Sequence, residues 1–182
     1  MTGDRTLPPR PRLIAIGGLS GSGKSTVAAL LGLRLHATVL RSDVVRKDVA
    51  GGGPGTTLGP DFYTPDWHAK VYEEMLRRAE AGAVAGDAVI VDAMFARPYE
   101  REAVRAAAMR ARVRFDGLWL DATTAQRRAR VSRRVNDVSD ATVRTVEQQA
   151  AYDIGALDWT RLATDDVPEV VARRAEAALG LL

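Results

Sequence analysis

Leu13-Ile14-Ala15-Ile16-Gly17-Gly18-Leu19-Ser20-Gly21-Ser22-Gly23-Lys24-Ser25 decides how the rest of the chain is read. Its opening apolar run does not alternate with polar residues, so a strand here is buried on both faces, as parallel strands are. A complete G-x-x-x-x-G-K-[ST] pattern follows from Gly18 to Ser25. Glycines let the backbone turn tightly enough for successive amide N–H groups to point at phosphate oxygens, and the helix opening at Lys24 adds its positive N-terminal end. Gly18, Ser20, Gly21, Ser22 and Gly23 are therefore assigned to the cradle of a nucleotide. Lys24 is expected to reach its β and γ phosphates, and the Ser25 hydroxyl to ligate Mg²⁺. A Gly-rich turn with a stray lysine would not need the flanking strand and helix.

Outward from this stretch, the same continuous apolar texture returns at Ala88–Val91 and Gly117–Leu120, with shorter candidates at Thr38–Leu40 and Arg161–Ala163. Helical spacing covers Lys24–Leu35, Pro65–Ala85, Arg97–Ala111, Thr123–Val135, Ala141–Tyr152 and Pro168–Leu179. Strands alternating with helices imply right-handed βαβ units, hence an α/β three-layer sandwich around a five-stranded parallel sheet. Ligands in such sheets sit at the carboxyl ends of the strands. Thr64-Pro65-Asp66 is a helix start, with Thr64 as N-cap and Pro65 in the first helical position. Gly51–Pro60 suits neither helix nor central strand; a functional loop and a loose surface connection are both open readings.

The 182 residues fit one domain over 13–182 behind a polar, Pro-rich leader at 1–12 expected to be flexible. With 46% hydrophobic and 27% charged residues, neither disorder nor a fibrous repeat is indicated. The absence of cysteine removes disulfides, thiolate metal sites and cysteine nucleophiles, and fits a reducing cytoplasm. No apolar run approaches the roughly 20 residues of a membrane span, and the leader lacks the apolar core of a signal peptide. A cytoplasmic protein without membrane or obligate protein partners is expected. Only Lys24, Lys47 and Lys70 among 26 basic residues are lysines. That skew reads either as codon bias or as arginine forks placed to grip phosphate.

Leu40-Arg41-Ser42-Asp43 ends the second strand, and a short helix begins at Val44. A carboxylate at a strand's C-terminal edge can accept the proton of an attacking hydroxyl. The competing reading is that Asp43 caps the helix. Arg46, one turn on, shares its face and is suited to an anionic group of the acceptor. The third strand ends in Asp92, in the Walker B position that orients Mg²⁺ or its water shell, although such an Asp can also simply start a turn. Arg127, Arg128, Arg130, Arg133 and Arg134 fall within eight residues, with no acid between Ala125 and Asn136. Repulsion at helical spacing costs about 0.2–0.5 kcal/mol per pair, so an anion should meet this surface. The transferring phosphoryl group is the favoured anion; a solvated face and a nucleic-acid footprint are the other readings. Tyr63 and Trp67 either stack on an acceptor ring or pack into the core. His36 and His68 have no catalytic or metal-ligand spacing and are read as structural.

With these residues in hand, the sequence resembles the bacterial AAA-domain kinases of the zeta-toxin, chloramphenicol phosphotransferase and polynucleotide kinase group, within the adenylate-kinase-like P-loop fold. The resemblance is carried by Gly-Leu-Ser-Gly-Ser-Gly-Lys-Ser-Thr at 18–26, Leu-Arg-Ser-Asp-Val-Val-Arg-Lys at 40–47, Val-Ile-Val-Asp-Ala-Met-Phe at 89–95 and Leu-Trp-Leu-Asp-Ala at 118–122. With the arginine-rich segment and Leu157-Asp158-Trp159, it covers nearly the whole chain from Leu13 onward. It implies a nucleoside-kinase-like strand order of 2-3-1-4-5 with an arginine-rich lid. It adds Thr26 to the nucleotide-binding residues, makes Asp43 the base that activates the acceptor hydroxyl, and gives Arg46 to substrate phosphate. Lid arginines fall within Arg127–Arg134; of these, Arg127 is assigned to the nucleotide, and Arg128, Arg130 and Arg134 to the transferring group. Thr164 lies in the loop where such kinases cradle adenine. The acceptor region, Gly51–Trp67, matches no substrate signature of the group. Relatives are often fused to an aminoglycoside-phosphotransferase-like domain, and no such domain is expected here.

The expected activity is an ATP- and Mg²⁺-dependent transfer to a hydroxyl of a small acceptor. The alternatives are a polynucleotide 5′-hydroxyl kinase, with nucleic acid as partner, and a non-catalytic nucleotide-binding regulator. Asp43 with Arg46 favours catalysis, because a sensor needs no base there. A GTPase is disfavoured because neither Lys47 nor Lys70 follows the asparagine of an Asn-Lys-x-Asp guanine reader, and an AAA+ motor by length and the lack of a helical lid domain.

Overall fold

The computed structural model describes residues 11–53, 55–133 and 138–181; most of the expected leader, and Arg134, fall outside them. The strands are β1 (Arg12–Gly17), β2 (Thr38–Arg41), β3 (Ala88–Asp92), β4 (Arg114–Asp121) and β5 (Thr160–Ala163). All pairings are parallel, and the order across the sheet is β2-β3-β1-β4-β5, as expected. Every residue of β1 and β3 is buried, which is why Leu13–Ile16 and Ala88–Val91 within them are written in unbroken apolar letters.

The helices are α1 (Lys24–Leu35), α2 (Ser42–Val49), α3 (Pro65–Val84), α4 (Pro98–Arg110), α5 (Thr124–Ser132), α6 (Val143–Gln149) and α7 (Pro168–Ala178). They cover both faces of the sheet. Leu13 and Ala15 of β1 pack with Val71, Met75 and Ala79 of α3 and Val104 and Ala107 of α4. Ile14 and Ile16 point the other way, to Val27, Ala28 and Leu31 of α1 and Val171 and Ala175 of α7. The period of two in β1 thus joins two cores, each fully buried Leu or Ile side chain contributing about 1.5–3 kcal/mol.

Four elements differ from the sequence reading by two residues or more at an end. β4 begins at Arg114 rather than Gly117, because ion pairs of Arg12 and Arg114 with Asp116 carry its polar half. α2 begins at Ser42 with Arg41 as N-cap, so Asp43 lies inside the first turn and does not cap the helix. α5 stops at Ser132, with Arg133 as C-cap. α6 is shortened to Val143–Gln149 because the Thr142 hydroxyl accepts from the Thr145 N–H and sets the start. Thr64 caps α3 as expected, accepting from the Trp67 N–H. Gly51–Gly59 is free of helix and strand among the described residues, and a 3-10 turn follows over Pro60–Tyr63.

Beneath the site, the Trp159 ring lies across Gly117 and Gly17, and a Cβ on Gly117 would come within 2.5 Å of the ring. Phe95, directly after β3, holds φ 49 while fully buried. The Tyr72 hydroxyl accepts the Phe95 N–H, and Arg101 donates to the Phe95 carbonyl. Such an outlier persists only where its surroundings overdetermine it.

Candidate active site

The loop between β1 and α1 sits at the carboxyl end of the sheet, where α/β sheets bind ligands. Its amides are divided in their use. Gly18 N–H donates to the Met94 carbonyl at 3.1 Å, Ser20 N–H to Gln149 Oε1 at 2.8 Å and Ser22 N–H to the Leu19 carbonyl at 3.1 Å. No protein acceptor meets the N–H groups of Gly21, Gly23 or Ser25 among the described residues, which leaves these amides open to a phosphate. Gly21 has φ 82, and a Cβ there would lie 2.6 Å from the Arg127 carbonyl, so only glycine fits. Lys24 Nζ arches back to the Leu19 carbonyl at 3.2 Å. Thr26 is exposed on the first turn of α1.

Asp92 closes the floor. It is 4% exposed, accepts from the Ser25 hydroxyl and lies 3.4 Å from Arg41 Nε across the β2–β3 pair. Burial pushes its carboxyl above the usual aspartate range, against the pull of Lys24, the Ser25 hydrogen bond and Arg41. Among the described residues no group of three or more His, Cys, Asp or Glu could hold a metal unaided. The hard oxygens of Ser25 and Asp92 nevertheless suit Mg²⁺ held chiefly by phosphates.

The residues expected on the acceptor side lie on α2 and the turn before α3. Asp43 lies in the first turn of α2, and its negative charge raises Asp92, Tyr63 and Tyr72 alike as a lesser contribution. Arg46 is 7% exposed; it donates to the Phe62 carbonyl at 2.7 Å, lies 4.9 Å from the Tyr63 ring centre, and its Nε has no hydrogen-bond partner. Tyr63 donates its hydroxyl to Asp140, which also faces the buried Lys47 ammonium at 3.9 Å. Burial, then Asp140, raises the Tyr63 phenol well above its ordinary range. Trp67 tilts against Phe62 at 4.8 Å with Lys70 over its ring, so it lines the turn and is not a core residue.

The arginines of α5 divide as well. Arg130 donates to Thr164 Oγ1 at 3.0 Å and to the Thr164 carbonyl, and reaches the Gly21 and Ser22 carbonyls at 3.4 Å. Arg127 is 3% exposed beneath the loop, with Nε and Nη1 unpartnered, and its desolvation lowers its pKa. Arg128 is half exposed, 3.7 Å from Glu147 of α6, so an acid beyond Asn136 partly balances the cluster. Thr164 is 3% exposed, and its N–H and hydroxyl both donate to the Asp121 carbonyl; its side chain anchors Arg130 and the end of β5. His68 binds Glu100 at 2.7 Å, and His36 closes α1 with φ 50.

Four residues at or around this site carried no signal in the sequence reading. Arg41 and Asp140 are ordinary charged letters until the fold pairs them with Asp92 and Tyr63. Arg101, 2% exposed, donates to the carbonyls of Phe95, Ala96, Ile154 and Ala156, tying the turn after β3 to the segment before β5. Gln149 reaches Ser20 across 129 residues.

A phosphate loop after the central strand of a 2-3-1-4-5 parallel sheet, an acid ending the neighbouring strand and arginines over the loop define a P-loop kinase-like fold. The chain belongs to the AAA domain family, whose sequence profile matches residues 13–153. It is 31% identical over 153 residues to an uncharacterised protein of Mycobacterium tuberculosis, covering 81% of this chain but only 30% of that protein. Among solved structures, the Mycobacterium tuberculosis APS kinase CysC, in complex with AMPPNP and APS, superposes with a TM-score of 0.72 at 22% identity. The match covers 95% of this chain and 99% of that one. The Deinococcus radiodurans tunicamycin resistance protein superposes at 0.67 with 22% identity, covering 95% and 98%. No helix among the described residues is long and apolar enough to cross a membrane.

Proposed function

We propose that the chain is a kinase of the zeta-toxin, chloramphenicol phosphotransferase and polynucleotide kinase group that transfers the γ-phosphoryl group of ATP to a hydroxyl of a small acceptor. The observation that carries this reading is the position of Asp43. It stands on the first turn of α2, two residues after Arg41, which is in register with Asp92 across β2–β3, and three residues before Arg46. A carboxylate there can accept the hydroxyl proton as the acceptor oxygen bonds to the γ-phosphorus and the bond to the ADP oxygen breaks.

The other residues take supporting roles in this reading. The amides of Gly21, Gly23 and Ser25 with Lys24 bind the triphosphate, and Arg46 faces an anionic group of the acceptor beside Tyr63 and Trp67. Arg128 and Arg130 stabilise charge on the transferring group, with Arg127 on the nucleotide side. Ser25 and Asp92 would hold Mg²⁺, which when bound neutralises phosphate charge. APS kinase, with AMPPNP and APS bound in its structure, illustrates this fold holding a nucleotide and an anionic acceptor together.

The test is a screen for ATP-dependent ADP release against sugars, nucleosides, hydroxylated antibiotics and 5′-hydroxyl oligonucleotides. A small hydroxyl compound should stimulate turnover and acquire a phosphate ester, without steep salt dependence. Stimulation by oligonucleotides alone, collapsing with salt, would instead assign a polynucleotide kinase. Binding of ATP without turnover on any acceptor would leave a regulator.

A further inference from the structure

We propose that Gln149 is a positioning residue of the phosphate loop, acting through Ser20; this rests on the loop binding a nucleoside triphosphate. Gln149 is the last residue of α6, remote in sequence from the loop, yet only 6% exposed. Its Oε1 accepts the Ser20 N–H at 2.8 Å and its Nε2 donates to Ser20 Oγ at 3.0 Å. Ser20 therefore presents one donor and one acceptor to a side chain that matches both. Turning the Gln149 amide over would set its NH2 group against the Ser20 N–H and lose that bond, which fixes its orientation.

The division of the loop's amides explains why this matters. Ser20 N–H is taken by Gln149, and the next amide, Gly21, has no protein acceptor among the described residues and is open to a phosphate. In a glycine-rich turn the peptide planes are free to rotate, so an inward-facing amide is held only if its neighbour is held outward. Gly18 and Ser22 have main-chain acceptors from the turn itself and its neighbour after β3. Ser20 alone among these three depends on a side chain from a distant element.

α6 is well placed to supply a fixed point. Val146 is fully buried, Thr142 caps the helix, and Glu147 faces Arg128 of α5. Two residues before the cap, Asp140 binds Tyr63 and faces Lys47 on the acceptor side. One short segment thus touches the phosphate loop at one end and the acceptor turn at the other. Preorganised donors act without reorganisation when charge arrives, so loss of the Gln149 anchor should appear as weaker triphosphate binding.

The experiment is calorimetric titration of Mg·ATP into the wild-type chain, Gln149→Met and Ser20→Ala, with hydrogen exchange followed on the peptide spanning Gly18–Ser25. Gln149→Met should weaken Mg·ATP by about tenfold, the loss expected for two hydrogen bonds, and Ser20→Ala by about threefold, since the N–H bond survives. Exchange in the loop peptide should rise in Gln149→Met while β1 and β3 peptides keep wild-type protection. Equal Mg·ATP affinity in wild type and Gln149→Met, or a loop peptide no less protected, overturns the proposal. If Gln149→Met does not fold, Ser20→Ala decides: unchanged affinity overturns the proposal, and the threefold loss supports it. A wild-type chain that binds no Mg·ATP would instead refute the nucleotide reading on which it rests.

Discussion

The guanidinium of Arg41 lies 3.4 Å from the carboxylate of Asp92, at the point where β2 and β3 reach the site in register. Asp92 is buried and also accepts from Ser25, so its charge is opposed by desolvation and supported by Arg41, Lys24 and that hydrogen bond. Desolvation is the largest of these effects and the carboxyl is raised. In the proposed Mg²⁺ role Asp92 must be ionised, so a proton would compete with the metal at this residue.

Mg·ATP affinity should therefore fall as pH is lowered through the Asp92 value, at a pH above the ordinary aspartate value of about 3.9. Binding should release protons in that range. Asp92→Asn should weaken Mg·ATP and abolish that pH dependence. Titrations in buffers of different ionisation enthalpy measure both effects; a pH profile unchanged by the substitution would remove Asp92 from the metal site.

Asp43→Asn keeps the size and polarity of the side chain on the first turn of α2 but removes the base. Acceptor phosphorylation should drop by about 10²–10⁴-fold, the usual worth of general-base catalysis, with ATP affinity retained. Single-turnover transfer to an acceptor found in the ADP-release screen measures the drop. Undiminished transfer would assign Asp43 to another role.

Arg130 joins the Gly21 and Ser22 carbonyls to Thr164 at the end of β5. Arg130→Ala removes hydrogen bonds from a charged donor, each worth about 1.5–3 kcal/mol, and should raise KM for ATP by about tenfold or more. Arg130→Lys should recover little, because one ammonium cannot replace the planar fork. Steady-state ATP turnover of the two variants, compared at equal folded fraction, is the check.

Gly117→Ala tests the packing under the site. Its Cβ would meet the Trp159 ring, so unfolding stability should fall by about 1–3 kcal/mol, as overpacked cores do. Urea unfolding measures it, and a variant as stable as the wild type would mean that the Trp159 ring shifts freely.

The sheet was legible because Leu13–Ile16 of β1 and Ala88–Val91 of β3 are buried on both faces and therefore written as unbroken apolar runs, and because the phosphate loop marks the turn from a strand to a helix. Order 2-3-1-4-5 came from resemblance, since runs of apolar letters carry no neighbour information. β4 was underread because Arg114 and Asp116 are satisfied by ion pairs with each other and with Arg12, which no local window reveals. Asp43, Asp92 and the loop lie at strand ends, where position alone points to chemistry. Gln149, Arg101 and Asp140 act through contacts with distant segments, and their residue types have no spacing rule. The arginine cluster was visible as charge, but its split into an anchored Arg130, a buried Arg127 and a half-exposed Arg128 depends on how α5 faces the loop.

Titration of Mg·ATP into the wild-type chain and Lys24→Ala tests the central claim most directly. The account predicts saturable binding to one site in the wild type, weakened by at least about tenfold when the ammonium over the loop is removed. No measurable heat with the wild type, or identical binding in both proteins, would contradict it.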